Sequence, residues 1–451
     1  MEIILIKASQ LILSLSILVV LHELGHFIPA RLFKTRVEKF YLFFNPWFSL
    51  YKKKVGETEY GIGWLPLGGY VKISGMIDES MDKDQLKKEP EKWEFRAKPA
   101  WQRLIIMVGG VVVNFLLAIL IYILVLFFWG ENQLSPKNTA EKGGLHVAEM
   151  FKSYGFKDGD IITHKDGKKV ENILKINRDL LLGNYRSLRV ESSKGFNTRT
   201  IVLPDDIDEK MFQNGAMQAF FPIIPCAVDS LYENFPAINS GFKKNDLIVS
   251  VNGTSITSYQ QFNIVIAEII EDEGESFNAD FLISRNNSIV SLKNVQRSVD
   301  GFGFAVNANV EDHYEFTLKE YSFLSAIPAG ISSGFTTLFD YVAQFKFVFS
   351  KKGAESLGGF TAIGNIFPDT WDWKRFWELT AFLSIMLAFL NLLPIPALDG
   401  GHVMFLLYEI FAGKPAPEKV LEKAQVIGMI LLLLLVIFAN GNDFGLWDWL
   451  F

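Results

Sequence analysis

The stretch Ile17-Leu18-Val19-Val20-Leu21-His22-Glu23-Leu24-Gly25-His26-Phe27-Ile28 closes the first strongly apolar segment of a 451-residue chain. That segment runs from Ile3 to Ile28. Crossing the hydrocarbon core of a bilayer takes about 20 residues, so the segment is long enough to span one. Ionisable groups at that depth are costly and default to a functional reading. At a spacing of four, His22 and His26 share one helix face and can clasp one metal ion, with Glu23 beside them to handle a water proton. The chemistry this predicts is metal-assisted hydrolysis inside a membrane.

Three further segments have the same character. Leu104–Trp129 is nearly uncharged, Phe376–Leu393 is apolar after its opening turn, and Val426–Ala439 is apolar throughout, extended by Ala424 and Gln425. The expected fold is therefore a polytopic α-helical membrane protein with about four spans. Tryptophans from Trp101 to Trp449 flank these spans, as an aromatic belt requires. The first segment lacks a basic leader and a small-residue cleavage site, so it reads as retained rather than as a signal peptide. The loop 31–103 carries 15 Lys+Arg against 10 Asp+Glu, which places it on the cytoplasmic side. The segment 131–320 carries 20 against 27 and suits the opposite side, with both termini outward. A net charge of −6 gives no reason to expect a nucleic-acid partner. Cys226 is the only cysteine, which excludes an intramolecular disulfide and makes a thiolate metal site implausible; it reads as a buried thiol.

Between the second and third spans the chain repeats itself. Ser153-Tyr-Gly-Phe-Lys-Asp-Gly-Asp160-Ile-Ile-Thr-His-Lys-Asp-Gly167 matches Ser240-Gly-Phe-Lys-Lys-Asn-Asp246-Leu-Ile-Val-Ser-Val-Asn-Gly253, an offset of about 86 residues and the size of a small β-rich module. Earlier, Tyr60-Gly-Ile-Gly-Trp-Leu-Pro-Leu-Gly68-Gly69-Tyr70-Val-Lys-Ile73 reads as two short strands around a turn, a membrane-associated β-hairpin or loop. Its edge, with Gly68, Gly69 and Tyr70, offers backbone hydrogen bonds to an extended peptide; a plain hairpin is the alternative. Asp78–Lys98 is strongly charged and reads as a solvated loop or helix. Leu324–Lys346, with Phe335, Phe339, Phe345 and the nearby Phe347, reads as an amphipathic helix at the interface, with an ordinary packing helix as the alternative.

Two histidines do not complete a catalytic zinc site, which usually has three protein ligands and an open position. One other apolar segment carries a candidate third ligand: Asn391-Leu-Leu-Pro394-Ile-Pro396-Ala-Leu-Asp399-Gly400-Gly401-His402. The two prolines break the helix, and Gly400-Gly401 permits a tight turn that aims Asp399 inward. An ordinary Asp helix cap is the alternative.

Taken together, the His-Glu-x-x-His in a first span and Asn-x-x-Pro-x-Pro-x-Leu-Asp-Gly-Gly in a late one resemble the site-2 protease family of intramembrane zinc metalloproteases. The Pro-Leu-Gly-Gly-Tyr-Val-Lys stretch, Phe95-Arg-Ala-Lys-Pro-Ala-Trp-Gln-Arg103 and Gly109-Gly110-Val-Val-Val-Asn114-Phe115 are similar to the bacterial regulator of sigma-E protease type, which cleaves membrane-anchored anti-sigma factors. The repeated Gly-Phe-Lys segments resemble the PDZ fold, the second more closely than the first. The resemblance implies Zn2+ held by His22, His26 and Asp399, Glu23 as general base, and Asn391 holding substrate near the metal. Asn114 matches a family position without a clear role, and His402 reads as a helix-facing polar residue rather than a fourth ligand. The implied partners are the lipid bilayer, single-pass membrane protein substrates, and a peptide or ectodomain met by the PDZ-like modules. The implied location is the bacterial inner membrane, with those modules on the periplasmic side. Two departures stand out: Leu42-Phe43-Phe44-Asn45-Pro46 where relatives often show Gly-Phe-Gly-Pro, and Leu357-Gly-Gly-Phe-Thr361 in place of Ser-Gly-Pro-Ile.

The expected organisation is a first span at 1–30, a cytoplasmic-side loop at 31–103 and a second span at 104–129. PDZ-like modules follow at 131–215 and 216–312, then an interfacial connector at 313–375. A third span with the Asp399 motif occupies 376–402, and a fourth 424–440. A catalytically inactive membrane-anchored PDZ scaffold is the competing non-enzymatic reading. A transporter is a third, less favoured by a complete His-Glu-x-x-His with a distant Asp.

Overall fold

The computed structural model describes residues 2–66, 68–76, 89–192, 195–214, 218–345, 348, 353 and 357–447. Most of the charged stretch at 78–98 (positions 78–88), together with Leu67, Lys346, Phe347 and Trp449, lies outside the described residues. The chain forms two compact units, one made of Met1–Gly130 with Glu320–Phe451 and the other of Glu131–Lys319.

In the first unit the opening apolar segment is one helix, α1 (Glu2–Leu32). Three more helices are long and apolar enough to cross a membrane: α2 (Ala100–Trp129), α4 (Trp373–Leu392) and α6, whose span is Lys419–Asp443 within Glu418–Asp443. The protein is a polytopic membrane protein with β-rich parts. Outward faces such as Ile427, Leu431 and Leu434 of α6 stay exposed because lipid is their solvent. The helix boundaries follow local chemistry. Pro99 precedes α2, the Asp372 side chain accepts a hydrogen bond from Arg375 N at 3.0 Å to cap α4, and Pro394 stops α4 by forcing Leu393 into extended geometry. The segment 376–402, read as one span, is thereby divided: Asp399 opens a separate helix, α5 (Asp399–Ala412).

The central element is α2, which touches α1, α4, α5 and α3 (Phe323–Phe345). Its Ile106 and Met107 pack with Ala30 of α1 and Val403 and Leu406 of α5, while Ala118 and Ile121 pack with Ala381 and Ile385 of α4. The stretch expected at the interface, α3, packs along α2. Side chains at Gly330 and Gly334 would meet Ile123 and Ile119 at 2.5 and 2.7 Å, so the glycines allow close approach.

The loop after α1 is not a hairpin around residues 60–73. It is a four-stranded sheet of β1 (Val37–Leu42), β2 (Tyr51–Val55), β3 (Thr58–Ile62) and β4 (Tyr70–Ile73), in the order β2-β3-β1-β4. The expected strands exist, but β1 lies between them, parallel to β3 and antiparallel to β4 with Tyr41 opposite Tyr70. The physical reason is that Val37–Leu42 offers a half-apolar partner for both, tied by Thr58 Oγ1 donating to Val37 O at 2.8 Å. This order leaves β4 as an edge strand.

The second unit contains two similar sheets. In one, strand Asp160–Lys165 pairs with Lys168–Lys169 and, beyond helix Ile176–Leu181, with Ser187–Ser192, which in turn pairs with Gly195–Val202. In the other, Leu247–Val251 pairs with Thr254–Ser255 and, beyond helix Tyr259–Glu273, with Phe277–Arg285, which in turn pairs with Ser288–Arg297. The matched aspartates do the same local work: Asp160 accepts from Lys157 N at 2.8 Å and Asp246 from Lys243 N at 2.7 Å. The boundaries differ from 215/216 and 312. Phe220–Pro222 pairs with Leu145–Val147, Tyr314 is buried in the first sheet's core, and Thr317–Lys319 pairs back onto Glu131–Gln133. The second module is thus enclosed by chain belonging to the first.

Candidate active site

His22 and His26 stand one helical turn apart on α1, and Asp399 sits at the first position of α5, some 370 residues later. Folding brings their donor atoms together. His22 Nε2 lies 3.2 Å from His26 Nε2 and 3.2 Å from Asp399 Oδ2, and His26 Nε2 lies 3.3 Å from the same oxygen. Tetrahedral zinc with bonds of about 2.0–2.1 Å needs donors about 3.3 Å apart, so the three residues fit that ion. Asp399 Oδ2 is buried and, despite these short distances, accepts no hydrogen bond among the described residues. An orphaned anionic oxygen between two imidazoles inside a membrane protein is a cation's place. Three protein donors leave a fourth position open, the pattern of catalytic rather than structural zinc.

Glycines make the convergence possible. A Cβ on Gly25 would lie 2.4 Å from Gly109 O, and one on Gly109 would lie 2.0 Å from Gly25 O. The α1 and α2 backbones therefore touch one residue from His26. Gly110 faces the rings themselves, its missing Cβ 2.5 Å from His26 Nε2 and 2.6 Å from His22 Cε1. On the other side, side chains at Gly400 and Gly401 would strike the carbonyls of Leu393 and Ile395 at 2.2 and 2.7 Å, so the start of α5 tucks under the proline loop. Ala397 is held at φ 84, a left-handed conformation that costs a non-glycine residue about 1–3 kcal/mol. Pro396 O presses on Gly428 of α6, where a Cβ would come within 1.7 Å. Strain and close packing thus fix the turn that presents Asp399.

A cavity of about 810 Å³ opens onto the donors and is lined by His22, Glu23, His26, Asp399 and His402. Glu23 is buried at 9% exposure, and a Cβ on Gly69 would approach its Cγ to 3.3 Å. The sheet thus lies directly against the candidate base. The edge strand β4 borders the cavity along Tyr70–Ile73. Gly68, at φ 144, passes under the Phe44 ring. Tyr70 stacks between Tyr41 and Phe44, and its hydroxyl donates to Asn45 Oδ1 at 2.9 Å. Asn391 Nδ2 lies 3.5 Å from His22 Nε2. His402 lines the cavity but is not among the three converging donors. Phe43 holds φ 69, a left-handed conformation.

Several contributors escaped the sequence reading. Gln425 of α6, buried, and Lys39 and Lys72 of the sheet complete the cavity wall. Gln425 reads in the sequence as a span extension, although an amide in an apolar run is itself a signal. Gly25 lies between the two histidines of the motif, but its partner, Gly109, is 84 positions away.

Apolar spans around a membrane-depth His-His-Asp donor set define a class, the membrane-embedded metallohydrolases. The chain belongs to peptidase family M50, whose model matches residues 10–435. It is similar to the regulator of sigma-E protease of Escherichia coli K12, 28% identical over 455 residues that cover 97% of this chain and 98% of that protein. The Haemophilus influenzae regulator of sigma E protease is 28% identical over 454 residues, with the same two coverages. A Vibrio cholerae serotype O1 protein whose given name is that of a zinc metalloprotease is 28% identical over 456 residues, covering 96% of this chain and 97% of that one. The protein is an intramembrane zinc metalloprotease.

Proposed function

We propose that His22, His26 and Asp399 hold the zinc and that Glu23 is the general base for cleavage of membrane-anchored proteins within or near their transmembrane helix. The observation that carries this is the mutual 3.2–3.3 Å spacing of three donors drawn from two distant segments. Zinc, when bound, supplies Lewis acidity toward a water molecule and a carbonyl. Glu23, beside His22 and facing the cavity, takes the proton from the attacking water and returns it to the leaving amine. A transmembrane helix hides its carbonyls in internal hydrogen bonds, so a substrate must unwind before it is cut. The edge of β4, with Gly68, Gly69 and Tyr70, receives the unwound peptide as an added strand, and Asn391 holds it near the metal. The cavity-facing position of β4 supports this reading.

The two sheets of 131–319 act as PDZ-like modules on the extracytoplasmic side of a bacterial inner membrane and admit substrates whose ectodomains have already been trimmed. Their matching strand order and the charge difference between the 31–103 and 131–320 segments support that assignment. The named activity of the sigma-E relatives makes an anti-sigma-factor type of substrate the first to test. Glu23→Gln tests the mechanism: the purified variant should keep its zinc and lose cleavage of a single-pass substrate by a factor of about 10² or more. Retained turnover removes Glu23 as the base.

A further inference from the structure

The two histidines present their outer ring nitrogens to the same helix in different ways. His26 Nδ1 lies 2.8 Å from the carbonyl oxygen of Ile106 on α2. A carbonyl only accepts, so His26 carries its hydrogen on Nδ1 and leaves Nε2 bare for a cation. Two turns along α2, past the gap left by Gly110, the Asn114 amide reaches the other ring: its Nδ2 lies 3.3 Å from His22 Nδ1. Asn114 is fully buried, and its Oδ1 has no hydrogen-bond partner among the described residues. Its backbone is held separately, since Ser384 Oγ of α4 donates to Asn114 O at 2.7 Å.

We propose that Asn114 is the positioning residue for His22, its amide oxygen accepting from His22 Nδ1–H and so directing Nε2 toward the metal. The inference rests on His22 being a metal ligand. A ligating Nε2 offers its lone pair, so the ring hydrogen of His22 belongs on Nδ1, facing the Asn114 amide. With Nδ2 turned toward that nitrogen, two donors would face each other. A half-turn of the amide exchanges Nδ2 and Oδ1 with almost no change of shape. The orphaned Oδ1 then meets the ring N–H. Ile106 O and Asn114 Oδ1 thus give both histidines the outer acceptor that orients ligating imidazoles.

The test is zinc affinity of the full-length protein in detergent, by competition with a chromophoric chelator. Wild type, Asn114→Leu, Asn114→Asp and His22→Ala are compared, each checked for folding by thermal unfolding. Asn114→Leu, similar in size but without an acceptor, should bind zinc about 10–100-fold more weakly. Asn114→Asp, which accepts in either orientation, should return to within a few-fold of wild type. If the leucine variant does not fold, Asn114→Ala replaces it with the same expectation. Wild-type affinity without the amide overturns the proposal, and so does equal loss in the aspartate variant, which would mean packing alone. Wild-type affinity in His22→Ala would instead remove the ligand reading on which the proposal stands.

Discussion

Gly110→Ala adds one methyl group at the point where α2 meets the candidate metal ligands. The new Cβ would lie 2.5 Å from His26 Nε2 and 2.6 Å from His22 Cε1, whereas such atoms normally rest about 3.5 Å apart. The local separation of α1 and α2 must therefore grow by about 1 Å. Neither partner can yield easily. His26 is tied by Nδ1 to Ile106 O at 2.8 Å, and the Gly25–Gly109 backbone contact lies one residue away. Overpacking of this kind costs about 1–3 kcal/mol. The same displacement carries both imidazoles away from Asp399, and a 1 Å error in a catalytic arrangement costs about 10²-fold in rate. The variant, purified in detergent, should bind zinc at least about tenfold more weakly, since 1.4 kcal/mol is one decade. It should also cleave a single-pass model substrate about 100-fold more slowly. Val112→Ala, on the exposed face of the same helix, is the control and should change neither. Wild-type zinc affinity and turnover in Gly110→Ala would refute the claim that helix contact at this glycine sets the site.

Other expectations are checked more simply. Asp399→Ala should lower the zinc content of purified protein well below that of wild type; unchanged stoichiometry by elemental analysis would end its assignment as a ligand. Excising 131–319 should relax substrate selection while hydrolysis persists. Rejoining is feasible because Glu131 and Lys319 are paired neighbours across a two-stranded ribbon, and loss of all cleavage with zinc retained would contradict the filter reading. Burial pushes the Cys226 thiol up to about 12, so at pH 8 it stays protonated in the folded protein. Alkylation should run about three orders of magnitude slower than for a free cysteine and accelerate on unfolding; fast labelling of the native protein would show the thiol is not buried.

Much of the candidate site is legible in the sequence. His22, Glu23 and His26 announce themselves because ionisable groups inside an apolar run are costly, and Asp399 because two prolines and two glycines interrupt another such run. The four spans follow from length and hydropathy, which are local properties. The duplication in 131–319 is visible because both copies need the same Gly-Phe-Lys turn and the same aspartate.

What the chain could not declare in advance is who touches whom. Asn391 and Asn114 each flank His22, but the side of the ring that each faces depends on how α2 and α4 pack around α1. The residues 60–73 looked like a hairpin because sequence neighbours are the default partners, yet Val37–Leu42 lies between the two strands. The end of the first β module lies beyond the second, a nesting that local signals cannot reveal. The sequence alone therefore determined the chemistry available, namely two imidazoles and two carboxylates in or bordering apolar segments. Only the tertiary structure decided their geometry. A metal site needs donors about 3.3 Å apart, and that distance is set by bare backbone contacts such as Gly25–Gly109, whose two members carry no side chain to signal the other.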